Sequence, residues 1–265
     1  MTFSTAAVTA PPTRGPVAGM AVQFLLIAAL GLTTGLSVAG WLAGAAYALV
    51  LWIALSSGLQ RAGMSRLGPA NVVTLGRASL VAGVTALVVT SIARPVPTAV
   101  LVTLVGVALA LDGVDGQVAR RTGSTSALGA RFDMEIDAFL ILVLSVYIGG
   151  AFGWWTVAMG AFRYAFVAAS WVMPWLSAPL PPRFSRKVVA AVQGIVLVVA
   201  TAHLLPYGLT LALVAAALAA LTWSFGSDIG WLWRIEQARS AAAVDRTARR
   251  QAFAVVARKV PATVS

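Results

Sequence analysis

The sequence predicts an all-α fold: a polytopic transmembrane helical bundle of eight spans. Three observations predict it. Hydrophobic residues make up 60% of the 265 residues and charged residues only 10%, whereas a soluble domain is roughly 45–50% apolar and 25% charged. This balance excludes a disordered chain and leaves too little charge to cover a soluble globule. Apolar runs recur at close to the ~20 residues that a helix needs to cross a bilayer. Basic residues fall between these runs in a pattern that fits one orientation. The net charge of +11, from 19 Lys and Arg against 8 Asp and Glu, would suggest nucleic acid in a soluble protein. Placed between apolar runs, it fits anionic headgroups and topology control instead, and no nucleic-acid partner is expected. There is no Cys and one His, His203. Disulfides, thiolate metal sites and His-rich centres are therefore excluded, and any metal must be held by oxygen, as Mg²⁺, Mn²⁺ or Ca²⁺ is.

Residues 1–17 are small and polar, with Pro11, Pro12, Arg14 and Pro16, and read as a disordered cytoplasmic tail. Residues 18–57 carry no charge and have room for two spans, a transmembrane hairpin with its turn near Gly40. A signal peptide is the competing reading, but the apolar run continues past any cleavage point. The linker 58–70 carries Arg61, Arg66 and Pro69. Six spans follow at 71–93, 96–112, 131–150, 154–173, 188–205 and 208–227, forming a core over 70–227. A polar connector covers 116–130, and a second, 174–187, holds Pro174, Pro179, Pro181 and Pro182, then Arg183, Arg186 and Lys187. With the N-terminus in the cytoplasm, both connectors, the linker and the basic tail 228–265 lie inside. The outer turns then fall near 40, 94–96, 151–153 and 206, and Arg94 is the one basic residue among them. This obeys the positive-inside rule and places both termini in the cytoplasm of a multi-pass plasma- or inner-membrane protein. The tail over 231–259 mixes Trp231, Trp233, Ile235, Phe253 and Val256 with basic residues. It reads either as a helix lying at the inner interface or as a solvated basic tail.

Five of the eight acids, Asp112, Asp115, Asp133, Glu135 and Asp137, fall between 112 and 137. Asp112 and Asp115 are three apart on one helix face, which they share with Gly116 and Ala119. On the next helix Gly129, Asp133 and Asp137 follow at intervals of four, while Glu135 points elsewhere. The short stretch 121–128 between them makes the two helices antiparallel neighbours whose acidic stripes can face each other. One ionised Asp inside a span costs ~2.5–3.5 kcal/mol, and four cost on the order of 10 kcal/mol. Arg120, Arg121 and Arg131 offer some compensation, and one or two divalent ions explain the convergence better. The competing reading makes these residues helix caps paired with the arginines. An EF-hand is excluded because its loop pattern is absent.

The stretch Asp112-Gly-Val-Asp115-Gly116-Gln-Val-Ala119-Arg120, followed after eight residues by Gly129, then Asp133 and Asp137, resembles the signature of the CDP-alcohol phosphotransferases, D-x2-D-G-x2-A-R-x8-G-x3-D-x3-D. All eight defining positions match. Asn71-Val72-Val73-Thr74-Leu-Gly-Arg77 resembles the N-x-x-T-x-x-R segment that many members carry at the start of their core. The resemblance covers ~70–227 and leaves out the hairpin. It implies a six-helix transmembrane core with a polar cavity open to the cytoplasm. It also implies transfer of a substituted phosphate from a CDP-alcohol, often CDP-diacylglycerol, to an acceptor hydroxyl with release of CMP. By position, Asp112, Asp115, Asp133 and Asp137 would hold one or two Mg²⁺ or Mn²⁺ ions, and Asp137 would be the general base. Gly116, Arg120 and Ser126 match positions that contact the CDP moiety. Asn71, Val72, Val73 and Thr74 would line the nucleotide side, and small residues at 116, 119 and 129 would let the nucleotide approach the backbone. The lipid donor requires the cavity to open to the bilayer, and a homodimer is compatible with the resemblance because many members dimerise.

Members differ in their acceptor. A phosphorylated acceptor needs extra cations, and Arg163 lies inside a predicted span, where a charge is a functional hypothesis by default. Arg183, Arg186 and Lys187 enter the next span from the cytoplasm and could join it, or could simply obey positive-inside; Arg163 could equally pair with an acid. The expectation is a phosphorylated polyol, inositol phosphate or glycerol 3-phosphate. The Gly-Lys-x-Lys-Thr-like segment of many phosphatidylglycerophosphate-forming members is absent. The rival class is a non-enzymatic divalent-cation-binding membrane protein or transporter. A transporter usually spreads its ligands over broken helices at the midplane, whereas these acids sit at the ends of two adjacent helices beside Arg120.

Overall fold

A computed structural model describes residues 14–61, 69–122, 126–181 and 183–259. Among them the chain is all-helical, with no strand. The helices are α1 (Arg14–Thr34), α2 (Val38–Arg61), α3 (Pro69–Ser91), α4 (Thr98–Thr122), α5 (Ala127–Phe152), α6 (Ala158–Val172), α7 (Phe184–Thr201) and α8 (Tyr207–Lys259). Short 3₁₀ turns precede and follow α6. Five of the helices, α2, α3, α5, α7 and α8, are long and apolar enough to cross a membrane. The protein is an integral membrane protein.

Several boundaries differ from the sequence expectation, for local reasons. The expected tail 1–17 overlaps α1, which begins at Arg14; residues 1–13 lie outside the described residues. The first turn is not near Gly40 but at Gly35, whose φ of +67° suits glycine, and Gly40 is buried within α2. The 116–130 connector is mostly helix, because α4 runs to Thr122 and α5 restarts at Ala127. Ser126 caps α5 by accepting a hydrogen bond from the Gly129 N–H at 3.0 Å. The expected 154–173 span is a 3₁₀ turn followed by the 15-residue α6. Nor is the basic tail separate from the last span: α8 continues unbroken for 53 residues, about 80 Å at 1.5 Å per residue. Its Ala, Arg, Gln and Glu residues are good helix formers, so the change from apolar to basic does not end the helix. An interfacial helix distinct from the span is therefore not seen, and the side chains of Phe253 and Val256 lie outside the described residues.

Helix α3 is central. It packs against α1, α2, α4 and α5, and small or β-branched residues such as Ala78, Val81, Ala82, Val84 and Ala86 let it be buried on all sides. Helix α5 is the second hub, packed against α6 and α7, and α7 packs along α8. Tyr47 of α2 stacks on Phe139 of α5 with ring centroids 4.9 Å apart, so the hairpin reaches the second hub as well. The expected adjacency of the two acidic helices is only partly met. Among the described residues α4 and α5 make little direct contact, and α3 lies against both.

Candidate active site

Arg77 of α3 is the centre of the site. It lies two turns into the helix, 1% exposed, the largest side chain so completely enclosed among the described residues. Its Nη1 donates to Asp112 Oδ1 of α4 at 2.6 Å. Its Nη2 donates to Asp137 Oδ1 of α5 at 2.6 Å and lies 2.7 Å from Asp133 Oδ1. The two acidic stripes thus meet through a cation from a third helix. Sequence reasoning quoted Arg77 in its motif but gave it no role, and assigned the compensation to Arg120, Arg121 and Arg131. Arg121 and Arg131 are exposed; the side chain of Arg120 lies outside the described residues, as do those of Asn71, Asp115, Gly116 and Ala119. Thr74, near the start of α3, is buried, while Val72 is exposed and Val73 half-buried.

One carboxylate oxygen each from Asp112, Asp133 and Asp137 lies within 4.8 Å of the others, a grouping that could hold a metal ion. The donor set fits a hard divalent cation, which takes oxygen ligands. Two further features agree. Among the described residues Arg77 brings one positive charge against three carboxylates, an excess of negative charge that a divalent cation would offset. In addition, Asp133 Oδ1 is buried and no hydrogen-bond donor is aligned on it, although the Arg77 guanidinium is close. The three side chains are otherwise about 40% exposed, open enough for a ligand to reach them.

Asp137 also lines a second feature, a cavity of about 580 Å³ between α5, α6, α7 and α8. Three of the four expected acceptor residues, Arg163, Arg186 and Lys187, line it too. Arg183 does not, and stands at its edge, 3.9 Å from Asp228. Arg163 is ion-paired to Glu135, with a second contact from its Nε to Glu135 Oε2 at 3.4 Å. Glu135 does stay out of the carboxylate group, but it holds a cavity residue. Close packing sets this geometry. A Cβ on Gly160 would come within 2.2 Å of the Leu142 Cα, so α6 can lie on the α5 backbone and bring Arg163 beside Glu135. Two cavity residues were missed from sequence. Gln193 is buried and donates to the Met159 carbonyl at 3.0 Å. Asp228, expected in the tail, is 7% exposed and faces the cavity.

The chain's likeness to known proteins agrees with this geometry. The family model described as CDP-alcohol phosphatidyltransferase matches residues 68–225, which begin just before α3 and end three residues short of Asp228. No curated protein and no solved structure matches the chain. The match spans more than half of the 265 residues and contains the whole carboxylate group around Arg77. The chain therefore belongs to the CDP-alcohol phosphatidyltransferase family, membrane enzymes that transfer phosphatidyl groups in phospholipid synthesis.

Proposed function

We propose that the protein transfers the phosphatidyl group of CDP-diacylglycerol to the hydroxyl of a polar acceptor, with a phosphorylated polyol such as inositol phosphate or glycerol 3-phosphate favoured, and releases CMP. The observation that carries this reading is the position of Asp137. It belongs at once to the carboxylate group on Arg77 and to the lining of the basic cavity. A base so placed has the donor phosphate on one side and the acceptor on the other.

In this mechanism the start of α3 (Asn71, Val72, Val73, Thr74), the end of α4 (Gly116, Ala119, Arg120) and the start of α5 (Ser126, Gly129) hold the CDP moiety. Asp112, Asp133 and Asp137, with Asp115, would hold one or two Mg²⁺ or Mn²⁺ ions, which would supply charge neutralisation on the pyrophosphate oxygens. Arg77 keeps the carboxylates converged. Arg163, Arg186 and Lys187 hold the acceptor's phosphate, as guanidinium and ammonium groups do, with Arg183 at the rim. Asp137 takes the proton from the acceptor hydroxyl. That oxygen forms a bond to the phosphorus bearing the diacylglycerol, and the bond from this phosphorus to the CMP oxygen breaks, with its electron pair leaving on CMP.

The same reading assigns residues 70–227 to the catalytic core, 18–57 to a transmembrane hairpin, and 1–17 and 228–265 to cytoplasmic tails, with Asp228 at the core's edge. The site then faces the cytoplasm, and a homodimer is compatible with it. The test is CMP release by purified protein with CDP-diacylglycerol, Mg²⁺ or Mn²⁺ and a panel of acceptors, beside Asp137→Asn. Release that needs both metal and one acceptor, and is lost in the variant, is expected. Silence with every acceptor and both metals in folded protein would refute the reading.

A further inference from the structure

The basic residues of the cavity are not equivalent. Arg163 has its own carboxylate in Glu135. Lys187 has none among the described residues. Arg186 and Arg183 share one, Asp228, at 3.6 and 3.9 Å. Arg186 also donates to the Pro181 carbonyl. Asp228 continues the cavity-facing stripe of α8 formed by Leu221, Ser224 and Phe225, at the spacing of one helix face. It lies beyond the segment that the family model matches.

We propose that Asp228 is the positioning residue of the acceptor site: it holds Arg186 against the cavity so that its remaining donors meet the acceptor's anionic group. The inference rests on the function proposed above. A buried carboxylate is tolerable only beside cations, and two guanidinium groups three residues apart repel unless an anion lies between them. At 3.6 and 3.9 Å these are ion pairs longer than a charge-assisted hydrogen bond. Asp228 therefore orients Arg186 without using up the N–H groups that the Pro181 carbonyl leaves it. Without Asp228 the Arg186 side chain would swing towards water and headgroups, and the cavity would lose a preset phosphate contact.

The experiment is steady-state CMP release, with the acceptor that serves the native protein, in Asp228→Asn, Asp228→Glu and Asp245→Asn. The last removes an exposed tail carboxylate paired, among the described residues, to Arg249 and controls for charge. Asp228→Asn is expected to raise the acceptor KM on the order of tenfold, the equivalent of one charge-assisted hydrogen bond. Its kcat and the KM for CDP-diacylglycerol should stay within about twofold, a range too small to represent such a contact. Asp228→Glu should recover most of the affinity. Asp228→Asn with Arg186→Gln should match Arg186→Gln alone. That double variant removes a charge together with its counterion, so it remains informative if Asp228→Asn does not fold. An unchanged or lower acceptor KM, an equal rise in the donor KM, or a further loss in the double variant would overturn the proposal. If the native protein releases no CMP with any acceptor, the underlying function fails and this inference with it.

Discussion

Arg77 places a single cation among Asp112, Asp133 and Asp137, and its substitution should reveal what that charge does. Removing one partner of a fully buried ion pair costs about 3–5 kcal/mol. Here the carboxylates are about 40% exposed, so Arg77→Gln is expected to cost less, about 2 kcal/mol. The variant removes the Arg77 charge from these three carboxylates. Added Mg²⁺ should therefore raise its melting temperature more than that of the native protein, as read from thermal unfolding in detergent. An equal shift in both proteins would mean that ion and guanidinium do not share these oxygens. The grouping of Asp133 with Asp137 was legible from sequence because a spacing of four is local and follows the helix period. Arg77's role was not, because its partners Asp112 and Asp137 lie 35 and 60 residues away. Asp228 was hidden for a related reason: in the sequence it opens a basic tail, and only the convergence of α7 and α8 turns it towards the cavity.

At the scale of elements, packing and caps decide what the apolar pattern leaves open. Helix α6 lies on the α5 backbone at Gly160 and Leu142. Gly160→Ala must push the two helices apart, because the Leu142 atoms it meets include backbone that cannot rotate away. The expected cost is about 1–3 kcal/mol. Arg163 should separate from Glu135 as a result, weakening acceptor-dependent CMP release more than donor binding. Helix α7 ends differently. The His203 N–H donates to the Ala200 carbonyl at 3.3 Å and the Leu204 N–H to Val199 at 3.4 Å, with His203 at a φ of +52°. This is a Schellman end with histidine where glycine is usual. His203→Gly should stabilise the protein by about 0.5–1 kcal/mol, seen as a higher melting temperature with activity unchanged. Element existence was well legible, since apolar runs long enough to span a bilayer form helices. The first turn was not, because the run 18–57 has no charged residue to mark it and Gly35, flanked by Thr33, Thr34 and Ser37, is one glycine of several.

Across the whole molecule, two hubs organise the function. Helix α3 gathers the hairpin and α4 around Arg77, and α5 gathers α6 and α7, with α8 closing the cavity. Asp137 sits where the two arrangements meet. The hairpin lies outside the matched segment, yet it packs on α3 and reaches α5 through Tyr47 and Phe139, which makes it part of the fold that holds the site. The claim that one carboxylate serves both halves is tested most directly by kinetics of CMP release in Asp137→Asn and Lys187→Ala, with donor and acceptor varied separately. The account predicts that Asp137→Asn lowers kcat by at least ~100-fold, as loss of a general base does. It predicts that Lys187→Ala raises the acceptor KM and leaves the donor KM unchanged. A donor KM that rises in Lys187→Ala while the acceptor KM holds, or an Asp137→Asn variant with native kcat, would contradict it.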